Sequence, residues 1–126
     1  MGRLQDRKER NKKMLEILLT DTYYIQYGWA FAKESEEIMI EQTAELFRDR
    51  IVDGCWTWVD ITSLLTKIKY KMDYEVFVDL YKEYSSEVLS NYGNWSIKDV
   101  IKFLACLAVR HTKVLKNIFE EYEKEA

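Results

Sequence analysis

The chain predicts an all-α fold: one domain of six or so amphipathic helices around a buried, hydrophobic central helix. Three observations predict it. Its 126 residues hold no proline and four glycines, too few turn residues for an all-β sandwich, which needs them about every 8–12 positions. Apolar residues make up 48% of the chain and aromatic ones 14%, which excludes a disordered polypeptide. Apolar positions recur at helical spacing along most of its length, and the stretch from Val100 to Val109 is apolar on nearly every side, as suits a helix at the centre of a domain. The length fits a single domain over residues 1–126, with neither disulfides nor a metal needed to stabilise it.

The first helix is expected over about residues 4–27, burying Met14, Ile17, Leu18, Tyr24 and Ile25, with Thr20-Asp21-Thr22 loosening it. The second, about 35–53, begins after Ser35 with Glu36 and Glu37 favouring its positive N-terminal end, and its seam is Ile40, Ala44, Phe47 and Ile51. The third, about 58–71, opens on a Thr57…Asp60 capping box and buries Ile61, Leu64, Leu65 and Ile68. Asp73 caps a fourth, about 74–91, with Phe77, Leu80, Tyr81, Tyr84 and Val88 in register. The fifth, about 96–109, is the apolar one. The sixth, about 112–124, carries Val114, Leu115, Ile118, Phe119 and Tyr122 on one face, and no glycine or proline parts it from the fifth. Gly28, Gly54 and Gly93 fall between periodic segments, where helix ends use them.

Charge and chemistry narrow the function. The net charge is −3, from 19 basic and 22 acidic residues, so nucleic acid is not expected as the main partner. Residues 1–13 nevertheless hold six cations against two acids, and an unrelated helical regulatory bundle with a nucleic-acid-binding arm stays open as a separate class. Cys55 and Cys106 fit no metal-ligand spacing, and the simplest account is a reduced intracellular protein with no metal. No apolar run is long enough to span a bilayer, and the basic start does not suit a secretory signal. His111 is the lone histidine, and no phosphate-binding glycine loop or calcium loop occurs. Neither a catalyst nor a cofactor is therefore expected. Aromatic residues are instead plentiful, and Trp56, Trp58 and Trp95 lie near expected helix ends, where partner contacts use such residues.

Four features, in order, resemble the Bcl-2 family of apoptosis regulators. Glu87-Val88-Leu89-Ser90-Asn91-Tyr92-Gly93-Asn94-Trp95 is similar to the family's first homology motif, E-L-F-R-D-G-V-N-W-G-R. The hydrophobic helix from Val100 to Ala108 follows it, with small residues at Ala105 and Ala108. Ile40-Glu41-Gln42-Thr43-Ala44-Glu45-Leu46-Phe47 resembles a BH3 motif, with Ala for Gly and Glu for Asp. Gln26-Tyr27-Gly28-Trp29-Ala30-Phe31 resembles the Q-R-G-Y-x-W that closes the family's first helix. One departure stands out: the family's Asn-Trp-Gly-Arg arginine is missing, and Lys98 is the cation that could replace it, as a single-point donor.

The resemblance implies a hydrophobic groove formed by helices 2 to 5 that takes the amphipathic helix of a pro-apoptotic BH3 protein such as Bim. Carried onto this chain, the groove would be lined by Phe47, Arg50 and Ile51 from helix 2 and Ile61 and Leu65 from helix 3. Tyr84, Glu87 and Val88 would come from helix 4, and Asn94, Ser96, Lys98 and Ile101 would form the base. For each apolar one, ordinary core packing is the competing account. A short form without a C-terminal anchor resembles viral members, such as those of iridoviruses and poxviruses. It implies an anti-apoptotic viral protein in the host cytoplasm, reaching mitochondria through its partners. A homodimer covering an apolar patch stays open, as does a viral adaptor of the same fold that inhibits innate immune signalling through another surface.

Overall fold

The computed structural model describes the backbone of residues 3–29, 36–54, 56–84 and 96–125, and the side chains of 6–27, 36–54, 56–83 and 96–125. Six helices, α1 (Arg3–Trp29), α2 (Glu36–Asp53), α3 (Trp58–Lys71), α4 (Tyr74–Tyr84), α5 (Ile97–Arg110) and α6 (Thr112–Glu125), account for nearly all of it, and no strand occurs among the described residues.

Local chemistry explains where the helices begin. Thr57 and Asp60 form a reciprocal box at the start of α3: the Thr57 N–H donates to Asp60 Oδ2 at 2.8 Å, and the Asp60 N–H donates to Thr57 Oγ1 at 3.3 Å. Ser96 and Asp99 repeat it at α5. Asp73 accepts the Glu75 N–H at 2.9 Å before α4. Between α5 and α6 a single residue suffices. His111 adopts φ −127° and ψ 43° while its N–H still donates to Leu107 O, so α6 is a separate helix without a glycine break.

The Thr20-Asp21-Thr22 triplet does not loosen α1. The Thr20 and Thr22 hydroxyls donate to the carbonyls of Glu16 and Leu18, at 2.8 and 2.7 Å, and stay within the helical ladder. The apolar face of α1 also differs from expectation. Met14, Leu15 and Leu18 are buried, whereas Tyr24 is 65% exposed and Ile17 and Ile25 are half-buried. Beyond Tyr84 the expected length of helix 4, with Val88, lies outside the described residues, as do Ser35 and Gly93.

α5 is the centre. Every residue from Val100 to Val109 except Lys102 is buried, and α5 packs against each of the other five helices. On one flank lies α2, whose seam of Ile40, Ala44, Phe47 and Ile51 is fully covered. On the other lies α4, where the Phe77 and Tyr81 rings meet Phe103 edge-on at 5.4 and 6.0 Å between centroids. α1 closes the bundle against α2, α3, α5 and α6, and α3 packs on α1, α4, α5 and α6. Among the described residues, no Cα of α2 comes within 8 Å of one in α3 or α4. The backbones of α2 and α4 therefore do not meet, although both pack on α5.

The cleft between α2 and α5

α2 and α5 run antiparallel. Arg110 at the end of α5 pairs with Glu36 and Glu37 at the start of α2, while Lys98 at the start of α5 shares a cavity with Arg48 in the last two turns of α2. That cavity, about 280 Å³, is lined by Glu41, Ala44, Glu45 and Arg48 from α2 and by Lys98 and Lys102 from α5. The α2 residues sit at i, i+3, i+4 and i+7, one helical stripe beside the buried seam. The two lysines stand one turn apart. None of these five charged groups pairs with an opposite charge within 4.0 Å among the described residues. The Nε of Arg48 is buried and donates to no acceptor. A helix stripe of both charges thus faces two lysines across an open polar cleft.

At the opposite end of the pair, Arg110 ties the flanks together. Its Nη1 donates to Glu83 Oε2 of α4 at 2.9 Å, and its Nε donates to Glu36 Oε1 of α2. These bonds, that to Glu83 foremost, hold the guanidinium pKa above its ordinary value. Asp21 of α1 is buried, and burial raises its carboxyl pKa against the opposing pull of Arg50, whose Nε lies 3.6 Å from Oδ1. Burial likewise lowers the pKa of His111, helped by the neighbouring Arg110 charge.

The expected site residues separate into three groups. Phe47, Ile51, Ile61, Leu65 and Ile101 are all at most 3% exposed and pack in the core instead of lining an open surface. Arg50, Ser96 and Lys98 are exposed, but they face different ways. Arg50 turns to Asp21 of α1, and Ser96 is occupied as the α5 cap, donating to Asp99 Oδ2 at 2.9 Å. Lys98 alone of the three lines the cleft. Glu87, Val88, Asn94 and the side chain of Tyr84 lie outside the described residues, and with them the whole segment, 87–95, that resembles the first homology motif. Cys106 is buried in the core and Cys55 lies outside the described residues. Trp56 and Trp58 are half-buried against the core.

Sequence reasoning missed Arg48, Lys102 and Arg110. Arg48 was within reach, since it continues the Glu41–Ala44–Glu45 stripe by one turn. Among the described residues no group of three metal-ligating side chains gathers, and no helix is long and apolar enough to cross a membrane. No family model, curated protein or solved structure matches the chain.

Proposed function

We propose that the chain is a Bcl-2-like viral inhibitor of apoptosis that sequesters pro-apoptotic BH3-motif proteins of the host, holding their amphipathic helix at the seam over α5. The observation that supports this best is the arrangement around α5: a central helix apolar on nearly every side, packed by both α2 and α4, whose backbones do not meet, with Lys98 in the cleft between α2 and α5. An amphipathic helix laid in such a seam inserts a row of apolar anchors. Each anchor contributes roughly 1.5–3 kcal/mol when fully buried, offset by the ordering of both partners. An acidic residue of the ligand facing Lys98 then sets register more than affinity. Phe47, Ile51 and Ile101 are buried, so a ligand meets them only as the flanks part. Calorimetric titration with BH3 peptides, that of Bim among them, tests the function. Binding by one or more supports it, and Lys98→Glu should then weaken binding with little change in stability.

A second function, a Bcl-2-fold adaptor that inhibits innate immune signalling through another surface, is favoured by one specific feature. The end of α1 presents Tyr23, Tyr24 and Tyr27 to solvent, each more than 60% exposed, with the Tyr23 and Tyr27 rings stacked at 6.2 Å. A chain that ignores BH3 peptides, yet suppresses signalling in cells until Tyr23→Ala and Tyr27→Ala are introduced, would be of this kind.

A further inference from the structure

We propose that the outer face of α1 pairs with the same face of a second copy of the chain, the two helices antiparallel about a twofold axis at Thr20. The inference is independent of helix capture.

α1 has one face that the bundle does not use. Lys13, Glu16, Thr20, Tyr23, Tyr24 and Tyr27 are all exposed, and at about 100° per residue they all lie within about 60° of Thr20 around the helix axis. The opposite face, with Asn11, Met14, Leu15, Leu18 and Thr22, is buried. The three tyrosines form one ridge: Tyr23 meets Tyr24 edge-on at 5.8 Å and stacks on Tyr27 at 6.2 Å. Exposed aromatic rings gathered in this way are what protein contacts carry at their centre.

The occupant follows from the order of residues along the stripe, which is its own complement when reversed. With Thr20 facing Thr20 of the second copy, each residue meets the one equally far beyond it. Lys13 then meets Tyr27, Glu16 meets Tyr24 and the half-buried Ile17 meets Tyr23. Each pair is chemically matched: an ammonium over a phenol ring, a phenol O–H donating to a carboxylate, and a branched apolar side chain against an aromatic one. Lys13 and Glu16 are available for these roles, since neither pairs with an opposite charge within 4.0 Å among the described residues. A self-matched patch of this kind gives a closed pair, because the same surface serves on both copies. Covering the three tyrosines removes roughly 450 Å² per copy from water, and the stems of Lys13 and Glu16 carry the contact towards the roughly 800 Å² of a standard interface. The pair is therefore a reversible one, with dissociation in roughly the micromolar to millimolar range.

Sedimentation velocity of the full chain from about 10 µM to about 1 mM tests the pairing, with circular dichroism to show that each variant is helical. Wild type should pass from monomer to dimer across that range. Thr20→Lys and Thr20→Glu, at an exposed position, should each weaken self-association by about tenfold or more, because the new charge meets its own copy across the axis. An equal mixture of the two variants should recover the dimer, now between unlike chains, a result specific to a twofold axis at Thr20. A wild-type chain that stays monomeric throughout overturns the proposal and leaves the stripe to a different protein. A dimer that Thr20→Lys leaves intact also overturns it, since another face would then be in use. So does a mixture of the variants that stays monomeric where wild type dimerises.

Discussion

Arg10 of α1 and Asp60 of α3 form a two-pronged ion pair, Nε to Oδ1 at 2.9 Å and Nη2 to Oδ2 at 2.7 Å. The same guanidinium lies 4.7 Å over the Trp56 ring. Asp60 also completes the α3 capping box, so one carboxylate starts a helix and docks it on another. The Arg10 bonds, foremost among the causes, hold its pKa down to about 2.

Asp60 therefore makes stability depend on acid. Its folded pKa lies below the ordinary carboxylate value, so the unfolded chain takes up the proton first as pH falls. The contribution is full above about pH 5 and is lost between there and about pH 2, amounting to about 1–2 kcal/mol after allowance for the half-exposed Arg10. Asp60→Asn should remove that acid-dependent portion. Urea midpoints measured from pH 6 to pH 2 check this, and an unchanged slope in the variant would contradict it.

Asp21 works in the opposite sense. Its pKa is raised by burial, with one oxygen lacking a hydrogen-bond partner and Arg50 at 3.6 Å, so its folded form favours the proton and its charge opposes folding as pH rises. Asp21→Asn should raise stability at neutral pH, with the gain shrinking as pH falls into the range where the wild-type carboxyl is already protonated. Paired denaturation curves at pH 7 and pH 4 decide the sign.

Gly54 is held by close approach. Its N–H donates to Arg50 O at 2.8 Å, and a Cβ built there would collide with Trp56 Nε1 and stand 3.1 Å from Arg50 O. Gly54→Ala should cost about 1–3 kcal/mol by pushing the indole off its place under Arg10. In a Trp56→Ala background the added cost should fall well below that, a non-additivity that a thermal-denaturation cycle measures.

Arg110 links flanks whose backbones do not meet. Arg110→Gln should lose about 0.5–1 kcal/mol, a modest figure because Glu36 and Glu83 are half-exposed. Amide exchange should quicken in the first turns of α2 and the last turn of α4, while the centre of α5 stays protected. Uniform exchange across all helices would mean that Arg110 does not couple the flanks.

What was legible in the chain follows from range. The position of α5 at the centre could be read because nine of the ten residues from Val100 to Val109 are apolar, with only Lys102 breaking the run. The Thr57 and Ser96 boxes and the α2 seam are equally local. Tyr24 was misjudged because a 27-residue helix, about 40 Å long, outruns the core that covers its middle. Its last turns carry Tyr23, Tyr24 and Tyr27 into solvent. The cleft was legible only at Lys98. Arg48 and Lys102 come together through the antiparallel packing of α2 on α5, and Arg110 meets Glu36 across 74 positions. Such juxtapositions leave no periodic trace. The burial of Phe47, Ile61 and Leu65 has the same origin, since an apolar stripe reads alike whether a core or a ligand covers it.

The central claim is capture of a BH3 helix, and calorimetric titration of the folded chain against a panel of BH3 peptides tests it most directly. Helix capture predicts binding to one or more of them at nanomolar to low-micromolar strength, weakened by Lys98→Glu while the helical content of the chain is unchanged. No heat of binding from any peptide, in a sample shown to be folded and helical, would contradict it.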